Sequence, residues 1–171
     1  MKDDLKIEEF PAFITAVYGE SVKPFPWQKR MLSEVLNPEK GWPGVVALPT
    51  AAGKTSCLDI AVFAMASLGE SAPRRVFFTV DRRVIVDEAY QKAKKLATKL
   101  RDALKPTKEA TDPPAILVKV AKKLQELAGE GALKKHTAPL KAYQLRGGVF
   151  RDNLWAEIPT QPLIVATTVD Q

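Results

Sequence analysis

The chain reads as a doubly wound α/β fold, a parallel sheet with helices on both faces, on three observations. First, near-continuous apolar runs of strand length recur at Val45–Leu48, Arg75–Val80 and Pro162–Thr167. Strands covered on both faces lose the apolar–polar alternation of a half-exposed sheet, which is how buried parallel strands look. Second, the stretches between these runs carry apolar residues at helical spacing. Third, a tight loop, Leu48-Pro49-Thr50-Ala51-Ala52-Gly53-Lys54-Thr55, joins the first strand run to the first long helical pattern. Strand–helix alternation with right-handed crossovers leads to a parallel sheet.

The elements follow in order. Residues 3–18 predict a helix with Leu5, Ile7, Phe10, Phe13, Ile14 and Val17 on its apolar positions, stopped by Gly19. Pro11 is expected to break or kink it. Pro24-Phe25-Pro26-Trp27-Gln28 opens a short helix to Leu36, ended by Asn37-Pro38. Residues 45–48 are the first expected strand, and 54–68 the helix after the loop, with Cys57, Ile60, Ala61, Ala64 and Leu68 as its apolar positions. Residues 75–80 are the second strand. Over 84–104, Val86, Tyr90, Ala93, Leu96, Leu100 and Leu104 face one way and the lysines the other, a strongly amphipathic helix. Asp112-Pro113-Pro114 starts another, because proline is tolerated in a first helical turn. Leu117, Val120, Leu124 and Leu127 continue it to Gly129. Residues 162–167 are the third strand. The chain divides into a helical lead-in, 1–43, and a sheet-based part, 44–171.

Composition narrows the chemistry. With 171 residues, 46% of them apolar and 27% charged, the chain has the make-up of a globular domain with a sizeable core. No apolar run approaches the roughly 20 residues of a membrane span, so no membrane partner is expected. The polar start Met1-Lys2-Asp3-Asp4 shows no signal peptide, and a cytoplasmic location is expected. A single cysteine, Cys57, excludes an intramolecular disulfide. Its place on the apolar side of the helix after the loop makes it a small core residue rather than a nucleophile. The single histidine, His136, excludes a multi-histidine metal centre and stands among Lys134, Lys135 and Thr137 as a loop residue. The net charge of +6 is concentrated between residues 74 and 146, while the flanks are slightly acidic. A basic middle suits a polyanion, with salt-dependent binding. Solvated helix faces account for the lysines equally well.

Five segments carry candidate chemistry. In the loop, Gly53-Lys54-Thr55 at the start of a helix can wrap an anion in successive backbone N–H groups and in the helix dipole. Lys54 would reach the β- and γ-phosphates of a nucleotide and the Thr55 hydroxyl would ligate Mg²⁺. Leu48 stands where the general pattern has its first glycine, and a plain helix start with a surface lysine is the alternative. In Phe25-Pro26-Trp27-Gln28, the Gln28 amide can donate and accept at an adenine edge and Phe25 can stack on the ring. A helix start with both aromatics in the core is the alternative. Asp81-Arg82-Arg83, after the second strand, puts two arginines at a helix N-terminus, where they oppose the dipole. They suit phosphate contact, or a salt bridge to Asp81 or Asp87. Leu145-Arg146-Gly147-Gly148 combines charge with a backbone that a ligand can approach closely, or is a turn. Thr167-Thr168 ends the third strand with hydroxyls able to hold a nucleic-acid phosphate, or to cap a strand.

In this order the five segments resemble the first, RecA-like motor domain of a superfamily 2 helicase, with a P-loop parallel sheet incomplete at its C-terminal side. The resemblance makes Phe25 and Gln28 an adenine motif, Pro49–Thr55 motif I, Val80–Ala89 motif Ia, and Thr167–Gln171 a later single-strand motif. The cofactor set it implies is ATP and Mg²⁺, held by Phe25, Gln28, Thr50, Ala51, Ala52, Gly53, Lys54 and Thr55. Nucleic acid would meet Arg82, Arg83, Arg146, Gly147, Thr167 and Thr168. Alanines at 51 and 52 replace the glycine or serine common in this group, with lysine and threonine intact. The finer pattern, Leu145–Gly148, Trp155-Ala156, Pro159, Gln161-Pro162 and Thr168-Val169-Asp170-Gln171, with Asp81–Asp87, resembles the CRISPR-associated helicase/nuclease of type I systems, in the branch whose motor precedes the nuclease. That family implies ATP-driven movement on single-stranded DNA and an RNA-guided surveillance complex as partner.

Such a motor also needs a strand ending in an acidic pair that serves Mg²⁺ and the attacking water. No apolar run here is followed by one, and Asp87-Glu88 lies inside a helical pattern. The chain is therefore expected to be an N-terminal part of the enzyme, able to bind nucleotide but without appreciable hydrolysis. A helicase fragment from DNA repair or RNA remodelling, and a non-catalytic nucleotide- or nucleic-acid-binding module, are the other readings.

Overall fold

The computed structural model describes residues 5–49, 52–105, 112–129, 138–148 and 154–169. The expected site residues Thr50 and Ala51, His136 and the terminal Asp170-Gln171 lie outside them.

Within the described residues the fold is α/β, a small parallel sheet flanked by helices. The helices are α1 (Phe10–Tyr18), α2 (Pro26–Leu36), α3 (Cys57–Leu68), α4 (Arg83–Ala103), α5 (Ala115–Leu127) and the short α6 (Leu154–Glu157). The strands are β1 (Arg75–Val80), β2 (Lys141–Leu145) and β3 (Leu163–Thr168). All pairing is parallel, in the order β1-β3-β2, so β3 is central. Every residue of β3 is buried, as its unbroken apolar run requires.

Side-chain alternation splits the sheet into two faces. Val76, Phe78, Val80, Ala142, Ile164 and Ala166 all belong to the helical core. Phe77, on the other face, meets Trp155 of α6 edge-on at 5.8 Å, and the Arg75 guanidinium lies 5.9 Å from the same ring. The chain runs β1–α4–β2 in one direction across the sheet and returns to β3 by way of α6. Right-handed crossovers place connections of opposite direction on opposite faces. Among the described residues the expected two-sided cover is thus uneven: the long helices stack on one face and α6 lies on the other.

α3 is the hub. Leu58 through Ala66 are buried without a break, so this helix is apolar all round and runs through the interior. Phe63 packs edge-on against Phe10 of α1 at 5.3 Å, and α5 and α2 close over the remaining sides. One charge is buried with it. Asp59 accepts from the Tyr18 hydroxyl at 2.6 Å and pairs with Lys92 of α4 at 2.7 Å. A buried carboxylate is tolerated only with such partners. Burial still holds the Asp59 carboxyl above the ordinary carboxylate range, with Lys92 pulling it back. Burial and the Asp59 charge likewise push the Tyr18 hydroxyl far up, so it stays a donor.

Four expectations change. Residues 45–48 are not a strand: they pair with nothing in the sheet, and Val45 is 85% exposed. An apolar run becomes a strand only where a neighbour can pair with it. The helix expected over 3–18 is shorter: a 3-10 turn over Ile7–Glu9 precedes α1, which begins at Phe10 with Pro11 in its first turn, so the helix does break at the proline. Strand β2 was not expected, since Lys141-Ala142-Tyr143-Gln144-Leu145 is half polar and lies on the sheet's edge. The third strand is shifted by one residue, to Leu163–Thr168.

Candidate functional site

Two groups of side chains take shape. The first surrounds the turn at Gly53. A 3-10 turn over Lys54–Ser56 leads into α3, and Gly53 before it is left-handed, with φ 71°. A side chain there would be strained, and a Cβ would sit 3.3 Å from the Phe25 ring. Lys54 is exposed and donates from Nζ to the Pro49 carbonyl at 3.0 Å. Its ammonium therefore folds back over the turn, onto an oxygen such as an anion would supply. Thr55 is half-buried in the same turn. Trp27 Nε1 donates to the Ala52 carbonyl at 3.0 Å.

The start of α2 thus lies against the turn. Phe25 is half exposed and Gln28 buried. The Gln28 carbonyl oxygen accepts from the Phe25 N–H at 2.9 Å. That bond satisfies one of the donors a helix start leaves unpaired. In this structure the oxygen end of the Gln28 amide therefore serves the helix cap.

The second group lines the carboxyl edge of the sheet. Because all strands are parallel, the segments after β1, β2 and β3 emerge on one side, where α/β sheets meet their ligands. The register pairs Val80 with Thr168 and Leu145 with Thr167. Arg82 caps α4 and Arg83 begins it, both exposed. The Arg83 guanidinium packs on Gly147, where a Cβ would approach its Nη2 to 3.0 Å. The structure therefore brings Arg82, Arg83, Arg146, Gly147, Thr167 and Thr168 to one edge.

Their states differ. Arg146 donates through Nε to Asp87 Oδ1 at 2.6 Å, through Nη2 to Asp87 Oδ2 at 3.2 Å, and through Nη1 to the Gly147 carbonyl at 3.2 Å. Gln144 Nε2 donates to the same Asp87 carboxylate. Asp87 is thus committed to tying α4 to β2, which agrees with rejecting Asp87-Glu88 as a metal-serving pair. Thr167 donates to the Thr168 carbonyl at 3.1 Å. Among the described residues the buried Thr168 hydroxyl oxygen has no hydrogen-bond partner. By alternation Thr168 shares its sheet face with Gln144 and Arg146.

Sequence reading missed two contributors. Asp87 entered as a salt-bridge option for the arginines before it and, with Glu88, as a rejected acidic pair, not as a partner of Arg146; Trp27 entered only as a core aromatic. Neither role has a local signal, since each depends on a segment distant in the chain. Among the described residues, no three His, Cys, Asp or Glu side chains gather where they could hold a metal ion. No described helix is long and apolar enough to cross a membrane. Cys57 is half-buried against the core, and burial pushes its thiol up. No family model, curated protein or solved structure matches this chain.

Proposed function

We propose that the chain belongs to the nucleotide-binding α/β modules that also hold nucleic acid, with ATP at the Gly53 turn and a phosphate backbone along the carboxyl edge of the sheet. Within that class, the order of its motifs suits the ATP-binding N-terminal part of a superfamily 2 DNA helicase of the CRISPR-associated type. The parent enzyme would move on single-stranded DNA exposed by an RNA-guided complex.

Lys54 takes the β- and γ-phosphates, and the backbone of Ala51–Gly53 cradles them. Thr55 offers its hydroxyl to Mg²⁺, which neutralises phosphate charge when bound. Phe25 stacks on the adenine, and the amide nitrogen of Gln28, whose oxygen serves the cap, reads its edge. Arg82 and Arg83 meet the nucleic-acid backbone, with Thr167, Thr168 and Arg146 beside them. The observation that carries the reading is the convergence of Phe25 and Trp27 on Ala52 and Gly53, two motifs some two dozen residues apart in sequence. Lys54 folded over the same turn supports it.

Calorimetric titration with Mg-ATP is the test. The chain should bind with Kd of roughly 0.1–1 mM, about 4–5.5 kcal/mol of binding energy, and Lys54→Ala should abolish the signal. Equal binding by the two proteins would sink the phosphate assignment.

A further inference from the structure

The Ala52–Gly53 peptide is trans, so the Ala52 carbonyl and the Gly53 N–H point in opposite directions within its plane. The carbonyl is already taken by the Trp27 indole, at 3.0 Å. The N–H must therefore face away from α2. Trp27 is itself well held. It sits in the first turn of α2, whose start is fixed by Pro26 and by the Gln28–Phe25 bond. That helix is seated by the buried Met31, Leu32 and Val35. The Phe25 ring closes the same corner against Gly53.

A glycine at φ 71° is where an anchor of this kind matters. Glycine crosses between positive and negative φ at little cost, so the peptide before it can flip. One orientation offers an N–H to an anion, and the flipped one offers a carbonyl oxygen, which repels it. A hydrogen bond worth about 1 kcal/mol biases such a two-state peptide about fivefold.

We propose that Trp27 is a positioning residue for the anion-binding turn: by drawing the Ala52 carbonyl toward α2, it aims the Gly53 N–H at the phosphate. The proposal rests on reading the turn as a phosphate site, and adds a control on its conformation from outside the loop.

The test compares the chain with Trp27→Phe, which keeps an aromatic ring and removes the donor. Three quantities are read: melting temperature, Mg-ADP affinity by calorimetry, and the Gly53 amide resonance in nitrogen-15 spectra. Melting should stay within a few degrees, the Gly53 resonance should move in the free protein, and Mg-ADP affinity should fall about fivefold. Equal affinity with an unmoved Gly53 resonance overturns the positioning role while leaving the phosphate site standing. Absence of Mg-ADP binding to the unmutated chain removes the phosphate site, and the purpose of the anchor with it. If Trp27→Phe fails to fold, the unmutated chain decides. A Trp27 indole N–H resonance that shifts with Mg-ADP supports the anchor, and one that stays still while the Lys54 amide moves overturns it.

Discussion

At the carboxyl edge of the sheet, Asp87 of α4 ties down Gln144 of β2 and Arg146 just after it, and Arg83 lies on Gly147. On the loop side, Val45–Pro49 have no strand partner, and the start of α2 touches the Gly53 turn from the front. The two regions nevertheless share a foundation, because α4 and α3 are joined by the Lys92–Asp59 pair under both. The contrast teaches that the edge is shaped by side chains holding elements together. The turn is shaped by one buried helix behind it and one indole in front. The outer edge of β1 shows what the loop side lacks. Among the described residues no strand pairs there, and a groove of about 290 Å³ runs along it, lined by Trp42, Leu58, Met65 and Val76 among others.

The largest effect should come from breaking the shared foundation. Asp59→Ala strands Lys92 and removes the acceptor of Tyr18, and should cost about 3 kcal/mol in urea unfolding. A loss under about 1 kcal/mol would mean that the pair is not what joins the two regions. The same carboxylate sets a pH signature. Its proton is held more tightly in the folded than in the unfolded chain, because burial raises it. Stability from this group therefore rises as pH falls from the folded to the unfolded carboxylate range, and is lost as pH rises again. Asp59→Asn should remove that slope.

A middle effect is expected at the edge. Asp87→Ala frees a half-buried arginine and should cost about 1 kcal/mol, since partly exposed pairs are worth little. It should also release Arg146 for anions, so single-stranded DNA should bind more tightly, with a steeper salt dependence. Weaker binding would instead make Asp87 a positioning residue for Arg146. The smallest effect belongs to the loop side. Val45→Ser, at a side chain 85% exposed, should change stability by under about 0.5 kcal/mol. A larger loss would show that this segment pairs in solution.

Helices α4 and α5 were legible within a residue or two, because the apolar stripes through Val86, Leu96 and Leu100, and through Leu117 and Leu124, write the buried face at helical spacing. β1 and β3 were legible because their apolar runs are too short for helices and rich in branched and aromatic residues. The same rule failed at Val45–Leu48 and missed Lys141–Leu145. The candidate site was legible as segments: the arginines after β1, the paired glycines and the two threonines were all singled out, and the parallel sheet then gathered them. Their partners were not legible, because Asp87 to Arg146 and Trp27 to Ala52 are contacts across long stretches of chain.

By itself, then, the sequence determined what is settled within one segment: the helices, whose hydrogen bonds close four residues away, the caps at Gln28 and Gly53, and the types of side chain on offer. Tertiary structure decided which apolar run became a strand, the order β1-β3-β2, and which arginine was bound to a carboxylate and which exposed. A strand satisfies its backbone only through a neighbour, and a charge is defined by what lies opposite it. Neither neighbour is written beside the residue it serves.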